Sequence, residues 1–85
     1  MWLFVFFDLP VLTKPQRKQA TQFRKALEKD GFSMMQFSVY VRHCPSKENM
    51  EVHVKRVRLA LPTAGQVSIL AVTDKQYSEI RNYLG

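Results

Sequence analysis

Eighty-five residues carry thirteen Lys and Arg against seven Asp and Glu, a formal net charge of +6, with one cysteine and a heavy load of six Phe, three Tyr, one Trp and four Met. That length makes one small domain (1–85), too short for a two-domain enzyme and near the size at which a core barely supports itself, so a partner subunit is expected to help. Cys44 alone forms no internal disulfide, no apolar run approaches the roughly 20 residues that cross a bilayer, and the first residues lack the flanks of a signal peptide. These points indicate a cytoplasmic protein with no membrane role. The positive excess points to polyanionic partners, nucleic acid first, against the plainer alternative of a basic protein that is simply soluble.

The first stretch, MWLFVFFDLP, organises the chain. Leu3 to Phe7 are β-favouring and apolar at both parities, as in a central strand buried on both faces. Pro10 cannot donate to a ladder and holds Leu9 extended, so pairing should stop at about Asp8. A carboxylate at the rim of a central strand is rigidly held yet open to water, where binding and catalytic groups often lie. From position alone Asp8 can equally end the strand or cap a turn.

Thr13 as N-cap, Gln16 as its capping-box partner and Pro15 in the first turn predict a helix running to about Lys29. Gln16, Ala20, Phe23, Ala26 and Leu27 share one side; Lys14, Arg17, Lys18, Arg24, Lys25 and Lys29 share the other. Solvated faces usually mix charge signs, so this one-signed stripe suggests contact with a polyanion. Gly31 ends the helix.

Phe32 to His43 reads as two strands with a break near Gln36 to Ser38, although neither Gly nor Asn is present to make the turn, which must then rest on tertiary context. Phe37, Val39 and Val41 are expected on one face. Ser46 caps a second helix, about Lys47 to Leu61, with Met50, Val54, Val57 and Leu61 as its core stripe and a polar side of mixed sign, so it reads as structural. After a turn at Pro62 to Gly65, Gln66 to Thr73 is a second apolar strand, again expected to be central. Thr73 or Asp74 then caps a short tail helix whose apolar contacts are Tyr77, Ile80, Tyr83 and Leu84.

Strand, helix, strand, strand, helix, strand is the βαββαβ order of ferredoxin-like α+β folds, an antiparallel sheet with two helices on one face, here with a short C-terminal helix added. The other sheet face carries large apolar groups, which a second copy of the chain across a two-fold axis would cover most simply.

His43, Cys44 and His53 are too few and too awkwardly placed for zinc, and nothing evident activates Cys44 as a nucleophile. An RNA-binding module of RRM type shares the fold, but FSVYVRHC lacks its signature and the basic charge lies on the first helix rather than on the sheet.

The first strand ending in FFDLP, the basic helix TKPQRKQATQFRKAL, the DGF turn at Asp30 to Phe32 and the QFSVYVR stretch from Gln36 to Arg42 together resemble the small CRISPR-associated adaptation subunit, the non-integrase member of the spacer-acquisition pair. The resemblance covers almost the whole chain. It implies a prokaryotic ferredoxin-like homodimer with the two sheets face to face and one divalent metal, Mg²⁺ or alternatively Mn²⁺, shared between the two Asp8 carboxylates. It also implies a metal-dependent endonuclease acting on RNA or DNA, and an adaptor that bridges integrase dimers around a protospacer duplex. On this reading Asp8 is the catalytic and metal residue, and Lys14, Arg17, Lys18, Arg24, Lys25 and Arg42 contact nucleic acid; the alternative is a DNA-bridging adaptor without catalysis. The resemblance departs at the C-terminus, where the family carries a fifth strand and this sequence is expected to stop after the tail helix.

Overall fold

The computed structural model describes residues 1–85, in which four strands and three helices follow the order β1(Trp2–Asp8), α1(Lys14–Lys29), β2(Ser33–Gln36), β3(Val39–His43), α2(Lys47–Leu59), β4(Gln66–Val72) and α3(Asp74–Ser78). The strands form one antiparallel sheet in the order β2-β3-β1-β4. This is the expected ferredoxin-like topology, with one correction: β4 lies at the edge. Its apolar residues at both parities indicated two covered faces, but a strand can have covered faces and still lack a neighbour on one side. Val67 and Ile69 are half-buried, whereas Leu70 is 51% exposed.

β1 is central, and its two parities separate the sheet faces. Leu3, Val5 and Phe7 are buried beneath the two long helices, in one core with Phe23 and Leu27 of α1, Tyr40 of β3, and Met50 and Val57 of α2. Phe7 meets Phe23 edge-on at 5.2 Å. Each of the fully buried side chains here contributes on the order of 1.5–3 kcal/mol by leaving water.

α1 begins where the sequence indicated. Thr13 accepts from the Gln16 backbone N–H at 3.3 Å, while the Gln16 side chain accepts from the Leu12 and Thr13 N–H groups at 2.9 and 3.0 Å. The β2–β3 turn, which lacked good local chemistry, is indeed held from elsewhere. Ser38 takes a left-handed φ of 69°, and its carbonyl accepts from the Phe7 N–H at 3.1 Å.

α2 stops at Leu59, short of the expected Leu61, so Leu61 is exposed and the buried stripe is Met50, His53 and Val57. The approaching Pro62 shortens the helix, and a hydrogen-bonded His53 occupies a core position that a purely apolar pattern overlooks. The tail helix is also shorter than the apolar spacing suggested. It ends at Ser78, and Tyr83 and Leu84 are exposed rather than packed.

On the sheet face away from α1 and α2, alternation places Trp2, Phe4, Phe6 and Asp8 on β1 beside Val39 and Val41 of β3. This face is not bare along its whole length, because α3 folds over one end. Tyr77 stacks on Trp2 with ring centroids 3.7 Å apart and planes within 5°, and lies 6.1 Å from Phe4, which is buried. The rest of the face remains open, with Leu70 opposite Phe4 and then Phe6 and Asp8 towards the other end. No helix is long and apolar enough to cross a membrane.

Candidate phosphodiester site

Asp8 is the last residue of β1, paired with Gln66 of β4, and its side chain is exposed at the rim. Two features hold its backbone. β1 is bonded on both sides up to this end, and Gly65, immediately before β4, packs directly on it. A Cβ at Gly65 would lie 2.6 Å from the Asp8 carbonyl oxygen and 3.1 Å from the Leu9 Cα, and Gly65 itself has φ +97°. Only glycine fits that conformation and that approach without strain. The Gly65 turn is in turn tied to α1, where the Gln19 side-chain carbonyl accepts from the Thr63 N–H at 3.0 Å and the Thr63 hydroxyl at 2.9 Å. Gly65 was readable from the sequence as a turn residue; its role as the support of Asp8 was not, because that needs the three-dimensional approach.

Around Asp8 the rim forms a shallow depression with Phe6, Phe37, Val39 and Ser68. No second carboxylate, His or Cys joins it, and no group of three or more such residues anywhere in the chain lies close enough to hold a metal ion. One copy therefore offers a divalent cation a single carboxylate. That fits Mg²⁺, which keeps several waters and takes few protein ligands, provided a second copy contributes its own Asp8.

The basic residues separate into two places. Lys14, Arg17, Lys18 and Lys25 line one exposed side of α1, and none of them pairs with an acid. Arg17 also braces the loop leading from Asp8, donating to the Val11 and Leu12 carbonyls at 3.2 Å each. Arg24 stands beside this stripe with its guanidinium 5.1 Å from the centre of the Phe37 ring. Arg42 is not brought to the site. It lies opposite Leu3 on the helix-covered face, five residues along β1 from Asp8, or about 16 Å, and its guanidinium fills the space beside Gly31.

The remaining candidate groups serve packing. Cys44 is fully buried, and burial pushes its thiol up, which disfavours the thiolate a nucleophile needs. His43 is exposed near Asp74, whereas His53 is buried and bonded to Asp30 through Nδ1 at 2.7 Å. Arg56 donates to the other Asp30 oxygen at 2.8 Å. Burial acts to raise the Asp30 carboxyl, but the hydrogen bonds and charges of Arg56 and His53 outweigh it and hold the group below its ordinary 3.8.

A four-stranded ferredoxin-like sheet, with a lone carboxylate at the rim of its central strand and an unpaired basic helix beside it, defines a small α+β protein whose accessible chemistry lies at one end of one sheet face. The chain belongs to the Cas2 family of CRISPR-associated proteins: the family profile, CRISPR associated protein Cas2, matches residues 1–80. It is 51% identical over 85 residues to a CRISPR-associated endoribonuclease Cas2 of Flavobacterium psychrophilum, covering all of this chain and 74% of that protein. It is 52% identical to the protein so named from Parvibaculum lavamentivorans, covering all of this chain and 84% of the relative. Its fold matches the crystal structure of Streptococcus pyogenes Cas2 at pH 6.5 with a TM-score of 0.73 over all of both chains, at 17% identity.

Proposed function

We propose that this protein is a divalent-metal-dependent phosphodiesterase that works as a homodimer, with Asp8 from each copy at one shared site and the α1 stripe holding the nucleic-acid backbone. The carrying observation is the position of Asp8: an exposed carboxylate without an acidic neighbour, rigidly supported at the uncovered end of an apolar sheet face. The relatives named endoribonucleases favour RNA as a substrate. Membership of the Cas2 family favours a place in spacer acquisition, where the same dimer would bridge integrase subunits on protospacer DNA.

Mg²⁺ or Mn²⁺ bound by the paired carboxylates would neutralise charge on the phosphate and acidify a bound water. The chain's own part is positional. Lys14, Arg17, Lys18 and Lys25 attract and align phosphates without reading sequence, and β1 and Gly65 hold the backbone that carries the carboxylate, with Phe6 and Val39 beside it at the rim.

Asp8→Asn keeps the side-chain shape and removes its charge. It is expected to abolish cleavage of RNA and DNA oligonucleotides in Mg²⁺ or Mn²⁺ while leaving the melting temperature and dimer mass unchanged. Cleavage by the Asn variant at the native rate would make Asp8 structural and leave the protein a nucleic-acid adaptor.

A further inference from the structure

We propose that the Arg24–Phe37 pair is a stacking platform for an unpaired base, which guides a single strand from the α1 stripe over the rim of the sheet to Asp8. The proposal rests on the functional reading above and adds to it a binding site: the residues that would hold an unpaired base beside Asp8.

Phe37 is the observation that needs explaining. It occupies the two-residue turn between β2 and β3 and is 78% exposed. Such turns favour Gly, Asn and Asp, so neither the backbone nor the core calls for a phenyl group there. The ring is nonetheless carried on a fixed backbone, because Ser38 in its left-handed conformation is bonded to Phe7 of the central strand. It is an exposed apolar plate at the edge of the molecule, carried on a turn that the central strand holds in place.

Its surroundings say what it suits. The Arg24 guanidinium lies over the ring at 5.1 Å, within reach for a cation–π contact, and makes no ion pair with any acid. Arg24 belongs to the same helix as the stripe residues Lys18 and Lys25, so positive charge continues from α1 up to the ring. Phe37 also lines the depression that contains Asp8 and Phe6, so the platform and the carboxylate share one hollow. A cation, an exposed aromatic plane and a basic track in sequence are what sequence-tolerant single-strand sites use, with the backbone following the charge and a base stacking on the ring. A duplex keeps its bases paired and stacked inward, so it can use the stripe but not the plate.

The two contributions therefore separate in a binding experiment on the full chain. Labelled single strands of RNA and of DNA, and a duplex of the same length, are titrated against the native protein, Phe37→Ala, Phe37→Trp and the double variant Lys18→Gln/Lys25→Gln. Phe37→Ala is expected to weaken single-strand binding about ten-fold, within the range of one base stacked on an aromatic, and to leave duplex binding within about two-fold. Phe37→Trp should restore single-strand affinity and show indole fluorescence quenched by single strands but not by duplex.

Equal loss on both forms, no loss on either, or a lower dimer mass for Phe37→Ala would overturn the platform and assign Phe37 to packing or to the partner interface. If the lysine variant loses affinity while both Phe37 variants bind normally, the stripe stands and the platform falls. If the native protein binds none of the probes, the platform and the functional reading fall together. If Phe37→Ala shows the selective loss while Asp8→Asn cleaves normally, the platform stands and the catalytic reading falls.

Discussion

Gly65 shows how one residue far from any chemistry can govern it. Its φ of +97°, and the 2.6 Å that would separate an added Cβ from the Asp8 carbonyl oxygen, mean that Gly65→Ala must strain its own backbone or displace the end of β1. The expected cost is about 2 kcal/mol, or roughly 8–16 °C in melting temperature for a domain of this size. Nucleic-acid cleavage should also fall at temperatures where the variant remains folded; unchanged activity in a destabilised protein would show that Asp8 tolerates the shift. A second residue-scale effect belongs to Asp30, whose carboxyl bonds the buried His53 and Arg56. Its folded value is depressed, so the stability it contributes is present above 3.8 and is lost as pH falls from there through the lower folded value. Asp30→Asn should cost about 2 kcal/mol at neutral pH, the scale of hydrogen bonds to charged groups, and should flatten the acid limb of urea midpoints plotted against pH. An acid limb identical to the native one would assign the acid sensitivity to other carboxylates.

At the scale of elements, what was legible was what periodicity and capping control. The capping box at Thr13 and Gln16 and the 3.6-residue apolar spacing of α1 are present in the structure with the indicated bounds. Asp8 could be picked out because a single charge terminates an otherwise apolar strand. Less legible were features set by contacts distant in sequence. The edge position of β4, the burial of His53 against Asp30, the covering of Trp2 by Tyr77 and the support of Asp8 by Gly65 all join residues that local patterns do not connect. The same distinction bears on α1, whose polar side carries Lys14, Lys18 and Lys25 without acidic partners, so no ion pair there returns stability to the fold. Neutralising Lys18 and Lys25, which brace no loop, is expected to leave stability unchanged. Duplex binding should weaken on all sequences alike, and the slope of log affinity against log salt should fall by roughly two. A loss that depends on sequence, or an unchanged slope, would make the stripe an ordinary solvated face.

The whole molecule is a slab of 40 × 36 × 18 Å with 14 of 85 residues buried, a small core for a chain so rich in aromatics. Its two large faces are unequal, because α1 and α2 cover one while α3 covers only the Trp2 end of the other. What remains is Phe6, 38% exposed, and Leu70, with Asp8 at the adjoining rim. A second copy meeting this half-face about a two-fold axis would remove those side chains from water and bring the two Asp8 residues to one locus, so assembly and metal binding would draw on the same surface. Light scattering should accordingly give a dimer mass that dissociates on dilution, and the melting temperature should rise with protein concentration, as it does when association is linked to folding. Phe6→Glu places a charge at the centre of that surface without touching the helix-covered core. It should yield a folded monomer that has lost cleavage although Asp8 is intact, whereas it should retain much of its stripe-dependent duplex binding. A monomer mass for the native protein at every concentration, or full cleavage by a monomeric Phe6→Glu, would mean that one Asp8 suffices and that the open half-face serves some other contact.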